Sequence, residues 1–312
     1  MKKRRAFITF PEKLGNTPDL FNLQKKIEGV NIKFNVETFS PVGVASDAYI
    51  SIYNLNRDDM GFLTTTVNSW IAKRNLIQLY AGYDDDVSLL YSGQIVNAPP
   101  SGNPDVSIDI RGLSSVDWMG QTISLKKDDL KVVDLLDYAG TITKSTVNMP
   151  SWLRNTSELL NRRIEHFSYT GTPMGLLNKI SDMLGGFRFT PDAVNLSIQD
   201  NEQINVWSPQ IKGNEQILLV SEDTGMIGYP SPYAGGIEVT VLLNPSIKAG
   251  DIIRVKSKRI PLCNGDYFVV SVKHQGELRG NMWQTTLKCS YTSTTQQQVV
   301  ENVRNQQTAD NI

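Results

Sequence analysis

The sequence predicts a mainly β protein of antiparallel sheets, sandwiches or barrels, interrupted by a small α+β segment. Three observations carry this. Apolar and polar residues alternate with a period of two in runs spread from end to end, the text between runs has hairpin chemistry, and helical periodicity is confined to the middle third. Alternation of this kind buries one face of each strand, which suits antiparallel sheets better than the doubly buried strands of parallel folds.

Taken in chain order, Val30, Ile32, Phe34 and Val36 alternate with Asn31, Lys33, Asn35 and Glu37, giving one strand an apolar and a polar face. Val106, Ile108 and Ile110 repeat the pattern. So do Ile237, Val239, Val241 and Leu243, and then Trp283, Thr285, Leu287, Cys289 and Tyr291. Asp84-Asp85-Asp86, Ser101-Gly102-Asn103-Pro104 and Asn264-Gly265-Asp266 sit between apolar runs as hairpin tips. Pro245 has no N–H for a ladder and ends its strand, and Gly250-Asp251 suits the turn into the next.

Two segments carry the helical period. Val132, Leu135, Leu136 and Ala139 recur at i, i+3, i+4 and i+7, with Asp128 or Asp129 expected as the N-cap and Lys126-Lys127-Asp128-Asp129 as a polar loop leading in. A second helix starts at Thr172-Pro173, carries Leu176, Leu177, Ile180, Met183 and Leu184 on one face, and ends at Gly185-Gly186. A faint internal repeat accompanies these elements. The series 75–83, 89–96 and 106–111 is followed in kind by 251–257, 265–272 and 283–291, a hint of two related β-domains.

Composition narrows the function. With 312 residues the chain can bury more than one core, and 40% hydrophobic with 20% charged content describes a folded protein. The 31 Lys+Arg against 32 Asp+Glu create no net field for a polyanion or a membrane surface. Lys2, Lys3, Arg4 and Arg5 resemble a signal n-region, but Phe7–Phe10 is too short to follow as its apolar core, and no run reaches the length of a membrane span. Two cysteines, Cys263 and Cys289, both in strand-like text, are expected as buried thiols of a reducing compartment, with a single local disulfide as the alternative if their strands are neighbours.

Catalytic text is sparse. Only His166 and His274 are present, and no metal, phosphate or nucleophile motif occurs. His166 is expected within a strand, and His274 at a surface or hairpin position. The Asp84–Asp86 run lacks the spaced ligands of a calcium loop, and the four basic residues at the start lack the aromatic interleaving of single-strand binders. Asn155 and Asn195 head N-x-S/T triplets that carry no weight without export. No catalytic, cofactor-binding or metal residues are assigned, and a structural protein working through protein partners is expected rather than an enzyme.

The segment Ala48–Leu55 (AYISIYNL), followed by LIQLYAGY and LLYSGQI, resembles the baseplate hub proteins of contractile-tailed bacteriophages, relatives of the late control protein D and the N-terminal tube-forming domains of VgrG. The text from His166 to Ile198 is similar to that family's insertion. The run from Ser221 to Ser257 and the closing GDYFVVSVKHQGELRGNMWQTTLKCSY are similar to its last tube-forming domain. The resemblance spans residues 6–292 and rests on patterns rather than on a catalytic signature.

What the resemblance implies is a first tube-forming β-barrel domain over 1–120 and an α+β insertion over 121–200. A connecting β segment over 201–235, with a return to the first domain as one course open to it, would lead to a second β-barrel domain over 236–293 and a flexible polar tail over 294–312. It further implies a homotrimer whose six barrel units surround a DNA channel, matching a six-fold tail tube on one side and a three-fold central spike on the other. The partners implied are the tail tube or tube-initiator protein and a spike made as a separate chain, with tape measure and wedge proteins as further neighbours. DNA would be met only in transit, and no membrane insertion is implied. The place implied is the virion tail baseplate of a phage or a phage-derived tailocin, assembled in the host cytoplasm. The channel face is expected to use the polar partners of the alternating strands and to avoid a dense Lys/Arg lining. A distal-tail or tube-initiator ring protein, or a cell-wall-degrading enzyme with β-domains, are the alternatives.

Overall fold

The structure is a computed structural model that describes residues 3–10, 25–39, 46–67, 76–102, 105–114, 117–185, 194–199, 203–208, 217–292 and 295. Period-two text becomes strand through the first third: β1 (Arg4–Phe10), β2 (Lys25–Ile27), β3 (Asn31–Phe39), β4 (Asp47–Tyr53), β5 (Leu76–Tyr83), β6 (Asp86–Asn97), β7 (Pro100–Ser101) and β8 (Ser107–Leu113). Their inward residues, among them Ile8, Ile32, Phe34, Ile50, Ile52, Ile77, Leu79, Ile108 and Ile110, form one buried cluster. Each such side chain contributes about 1.5–3 kcal/mol on leaving water. Val106, expected on that inward face, lies just before β8 and is exposed.

One helix of this region was not expected. α1 (Arg57–Val67) follows β4, and Asn56 opens it by accepting the Asp59 N–H at 2.7 Å. Its text RDDMGFLTTTV has three threonines and too few apolar residues to mark a helical face, yet Leu63 is fully buried in the β-core. Tertiary burial, not propensity, holds it there.

The middle of the chain holds α2 (Asp117–Gly120), β9 (Ile123–Lys131), α3 (Val132–Thr143), β10 (Val147–Asn148), α4 (Ser151–Thr156), α5 (Glu158–Asn161), β11 (Arg163–Gly171), α6 (Pro173–Met183), β12 (Asn195–Gln199) and β13 (Gln203–Trp207). α3 and α6 pack their apolar faces together in a second core. α6 starts as its text predicts, with Thr172 Oγ1 accepting the Gly175 N–H at 3.1 Å ahead of Pro173. The start of α3 differs from expectation. Residues 126–129 are no loop and Asp128 and Asp129 cap nothing, because β9 runs on to Lys131 in antiparallel register with β11. Lys131 is the N-cap, and its N–H donates to Asp134 Oδ2 at 2.8 Å.

The last third contains β14 (Leu218–Ser221), β15 (Met226–Tyr233), β16 (Gly236–Leu242), β17 (Ile252–Lys256), β18 (Gly265–Glu277) and β19 (Trp283–Tyr291) around a third core. Between residues 201 and 235 the structure describes 203–208 and 217–235. β13 pairs within the insertion, β14 lies parallel to β17, and β15 forms a hairpin with β16. The Trp207 ring at the end of β13 stacks on Phe268 of β18 at 5.7 Å, docking the insertion on this unit. Cys289 lies in β19, whereas Cys263 lies in a 3-10 turn rather than a strand. Both are buried and free. The polar tail lies outside the described residues except Thr295, which is buried and accepts the Asp266 N–H at 3.1 Å.

One sheet joins both β-units, in the order β15-β16-β19-β18-β3-β4-β8-β6-β5-β1-β2. The junction is made by β18. Its first half pairs with β17, a bulge after Val269 bends it, and its second half pairs with β3. Phe34 of β3 and Trp283 of β19 meet edge to face at 5.4 Å beneath this junction.

The two units are built alike. In the first, the strands lie in the order β3-β4-β8-β6-β5-β1, and in the second β15-β16-β19-β18-β17-β14. The correspondence holds in register. Glu37, Asp47, Leu113, Gln94 and Leu76 stand abreast in one unit, and Tyr233, Gly236, Ser290, Phe268 and Ile252 in the other. They differ at the end strand: β1 is antiparallel to β5 and is flanked by β2, whereas β14 is parallel to β17.

Candidate functional site

Alternation that sends one set of side chains into the cores leaves the other on a continuous face across β15, β16, β19, β18, β3, β4 and β8. Glu238, Thr240 and Leu242 of β16 stand beside Lys288, Thr286 and Gln284 of β19, and these beside Lys273 and Gln275 of β18. Across the junction follow Glu37, Asn35 and Lys33 of β3, then Asp47, Tyr49 and Ser51 of β4, then Arg111 and Asp109 of β8.

Charges of both signs alternate on this face. Arg111 Nη2 lies 3.1 Å from Asp47 Oδ2, its guanidinium stands over the Tyr49 ring at 5.5 Å, and Lys273 Nζ is 4.0 Å from Glu37 across the junction. The hydrogen bond to Asp47 holds Arg111 even more firmly protonated than usual. Lys33, Lys288, Lys273 and Arg111 are thus set among Glu37, Asp47, Asp109, Glu238 and Glu277, and the face carries no basic stripe that would hold a phosphate backbone. The sequence foretold the polarity of this face on β3, β8, β16 and β19, but not that seven strands would share it.

A cleft of about 720 Å³ opens between β14, β17 and the β17–β18 turn. Four of its ionic groups form two pairs, Arg254 Nε with Asp266 Oδ1 at 2.6 Å and Lys258 Nζ with Asp223 Oδ2 at 2.7 Å, and Lys256 lines it as well. Leu219 lines it from β14.

His166 lies in β11 as expected, exposed, with Nδ1 2.8 Å from Asp128 Oδ1. His274 does not lie at the surface or in a hairpin. It sits in the interior of β18, 5% exposed, between Val36 of β3 and Thr285 of β19. Its Nδ1 is 2.9 Å from Thr285 Oγ1, which also accepts the Asn244 N–H at 3.0 Å. Burial, aided by Lys248, pushes its pKa down to about 3. The glycine that follows and the charged text after it disguised this position as a turn. It is a neutral imidazole filling the junction.

The Asp84–Asp86 tip and the basic opening, read separately from the sequence, meet. The Lys3 N–H donates to Asp84 Oδ1 at 2.8 Å, and Arg5 Nη1 lies 3.1 Å from Asp85 Oδ1. Arg4 reaches back to the second unit, where Nη1 donates to the Gly280 carbonyl at 2.6 Å and the guanidinium stands 5.6 Å from the Trp283 ring. Asn155 lies in α4, and Asn195 is buried in β12. Among the described residues no three or more His, Cys, Asp or Glu side chains converge as a metal site, and no helix is long and apolar enough to cross a membrane.

A family model described as Baseplate hub gp41 matches residues 17–289. Among solved structures, the 43 kDa tail protein of prophage MuSo2 from Shewanella oneidensis is similar with a TM-score of 0.61 at 8% identity, covering 94% of this chain and 98% of that one. The tail protein from Neisseria meningitidis MC58 is similar with a TM-score of 0.61 at 8% identity, covering 93% of this chain and 97% of that one. The E. coli c3393 protein, a component of the type VI secretion system described as structurally similar to T4 tail proteins gp27 and gp5, gives 0.55 at 11% identity over 85% of this chain and 74% of that one. At these identities the likeness is one of fold. No curated protein matches in sequence.

Proposed function

Because this chain belongs to the Baseplate hub gp41 family, we propose that it is a homotrimeric symmetry adaptor joining a six-fold tail tube to a three-fold central spike. The observation that carries the proposal is the internal duplication: two units with the same strand order and register let three chains offer six similar surfaces. On the tube side, the tube or tube-initiator protein would meet all six. On the spike side, the insertion, present once per chain, would leave three-fold symmetry. Tape measure and wedge proteins would be further neighbours in the virion baseplate, the whole assembling in the host cytoplasm.

In this proposal the seven-strand polar face lines part of the DNA passage. Interspersed charges of both signs let a polyanion pass without a strong electrostatic hold. The role is mechanical and interfacial, with no catalytic step. Mass measurement of the purified chain tests it, since a hub gives three times the 34.8 kDa chain mass. Six copies would point to a tube or distal-tail ring. Turnover of cell walls that a single carboxylate substitution abolishes would replace the structural reading with an enzymatic one.

A further inference from the structure

Asn264-Gly265-Asp266, read from the sequence as a tip between apolar runs, has a chemistry that the proposed role does not use. It holds the only Asn-Gly step in the chain. An asparagine side chain is open to attack by the main-chain nitrogen that follows it, and glycine, lacking a Cβ, hinders that attack least. Asn264 follows the 3-10 turn Pro261–Cys263, and Gly265 begins β18. Both line the cleft beside β17, with Asn264 exposed to water.

The fold uses both residues. Asn264 Oδ1 accepts the Ser257 N–H at 2.6 Å, closing the β17–β18 connection. At position 265 a Cβ would stand 2.7 Å from Thr295 Cγ2, so glycine is what lets that threonine pack there. Thr295 is fixed in turn, its Oγ1 accepting the Asp266 N–H at 3.1 Å and donating to the Asp266 carbonyl at 2.8 Å. The same fold withholds the reaction. Ring closure needs the Gly265 nitrogen on the side of the Asn264 Cβ, and a ψ of 134° at Asn264 turns it toward Hα instead. The bond from Ser257 holds the side chain, while Gly265 opposite Val255 and Asp266 opposite Arg254 hold the main chain in its ladder.

We propose that Asn264 is a self-modifying position gated by the β17–β18 pairing, converting to aspartate or isoaspartate only when that pairing opens. On opening, the Gly265 nitrogen gives its proton to solvent and bonds to Asn264 Cγ, the Cγ–Nδ2 bond breaks, and the side-chain nitrogen leaves as ammonia. Water then opens the succinimide, with no change of oxidation state. Cleavage at Cγ leaves aspartate, and cleavage at the main-chain carbonyl leaves isoaspartate, whose chain runs on through Cβ and Cγ. Both products resist reclosure. Aspartate brings a second carboxylate to Ser257, whose hydroxyl already donates to Glu222 Oε1 at 2.9 Å. Isoaspartate adds a backbone carbon just ahead of Gly265 and so breaks its register with Val255. A brief opening of this hairpin is thereby made permanent.

The test incubates the full chain at mildly alkaline pH, folded and in guanidinium chloride, and follows residue 264 by peptide mass mapping. Conversion is expected in guanidinium and at least about tenfold more slowly in the folded chain, equivalent to an opening cost of about 1.4 kcal/mol or more. Thr295→Ala removes the hydroxyl bonds to Asp266 and no reacting group. It should speed conversion of the folded chain several-fold and leave the rate in guanidinium unchanged. Equal rates in the folded and unfolded parent would overturn the gate, as would a folded Thr295→Ala chain that converts no faster than the parent. Asn264 left intact in guanidinium would overturn the site itself.

Discussion

His274 offers the sharpest check on how the two β-units are joined. In the folded chain it is neutral, because burial and Lys248 push its pKa down to about 3. In the unfolded chain it titrates near the usual 6.5. The unfolded state therefore binds one more proton than the folded state between these values, so stability falls as pH drops through 6.5 and stops falling from this cause below about 3. Over that window the slope is about 1.4 kcal/mol per pH unit, and going from about pH 7 to about pH 5 removes about 2 kcal/mol. His274→Gln keeps an acceptor for the Thr285 hydroxyl but cannot titrate. Urea unfolding of both chains at the two pH values should show the parent losing about 2 kcal/mol more than the variant. Equal losses would mean that the imidazole is hydrated or paired with an acid in solution, and the account of the junction would fall.

Two further outcomes follow from packing. At Gly276 a Cβ would stand 2.3 Å from Phe34 Cζ and 2.8 Å from Trp283 Cε3, so Gly276→Ala should destabilise by about 1–3 kcal/mol. An unchanged thermal midpoint would show that these rings do not press on the strand. Cys289 is fully buried and its pKa is raised by that burial, with Cys263 raised for the same reason, so thiolate is scarce in both. A thiol reagent at neutral pH should modify the native chain only as fast as it opens. Rapid labelling of Cys289 would contradict the packing of the third core.

Much of the fold was legible because a strand with one buried face writes its burial directly into its text. Ile32, Phe34 and Val36 in β3, and Leu287 and Cys289 in β19, are buried as their alternation requires. The α6 start was equally legible, since Thr172 and Pro173 act through local hydrogen bonding and a fixed φ. α1 was not, because one fully buried leucine among threonines makes no periodic signal. Nor was the strand character of 126–129, whose charges suit a loop but lie on a ribbon held by β11.

By itself the sequence determined the fold class, the helices α3 and α6, the polar and apolar faces of β3, β8, β16 and β19, and the faint repetition of three strands. These rest on local periodicity and backbone chemistry, which need no knowledge of neighbours. Only the tertiary structure decided that the two units share strand order and register, that β3 and β18 fuse them into one sheet, and that His274 is sealed between them. Strand partners are chosen by contacts across hundreds of residues, and a period of two records which face of a strand is buried without recording against which strand it lies.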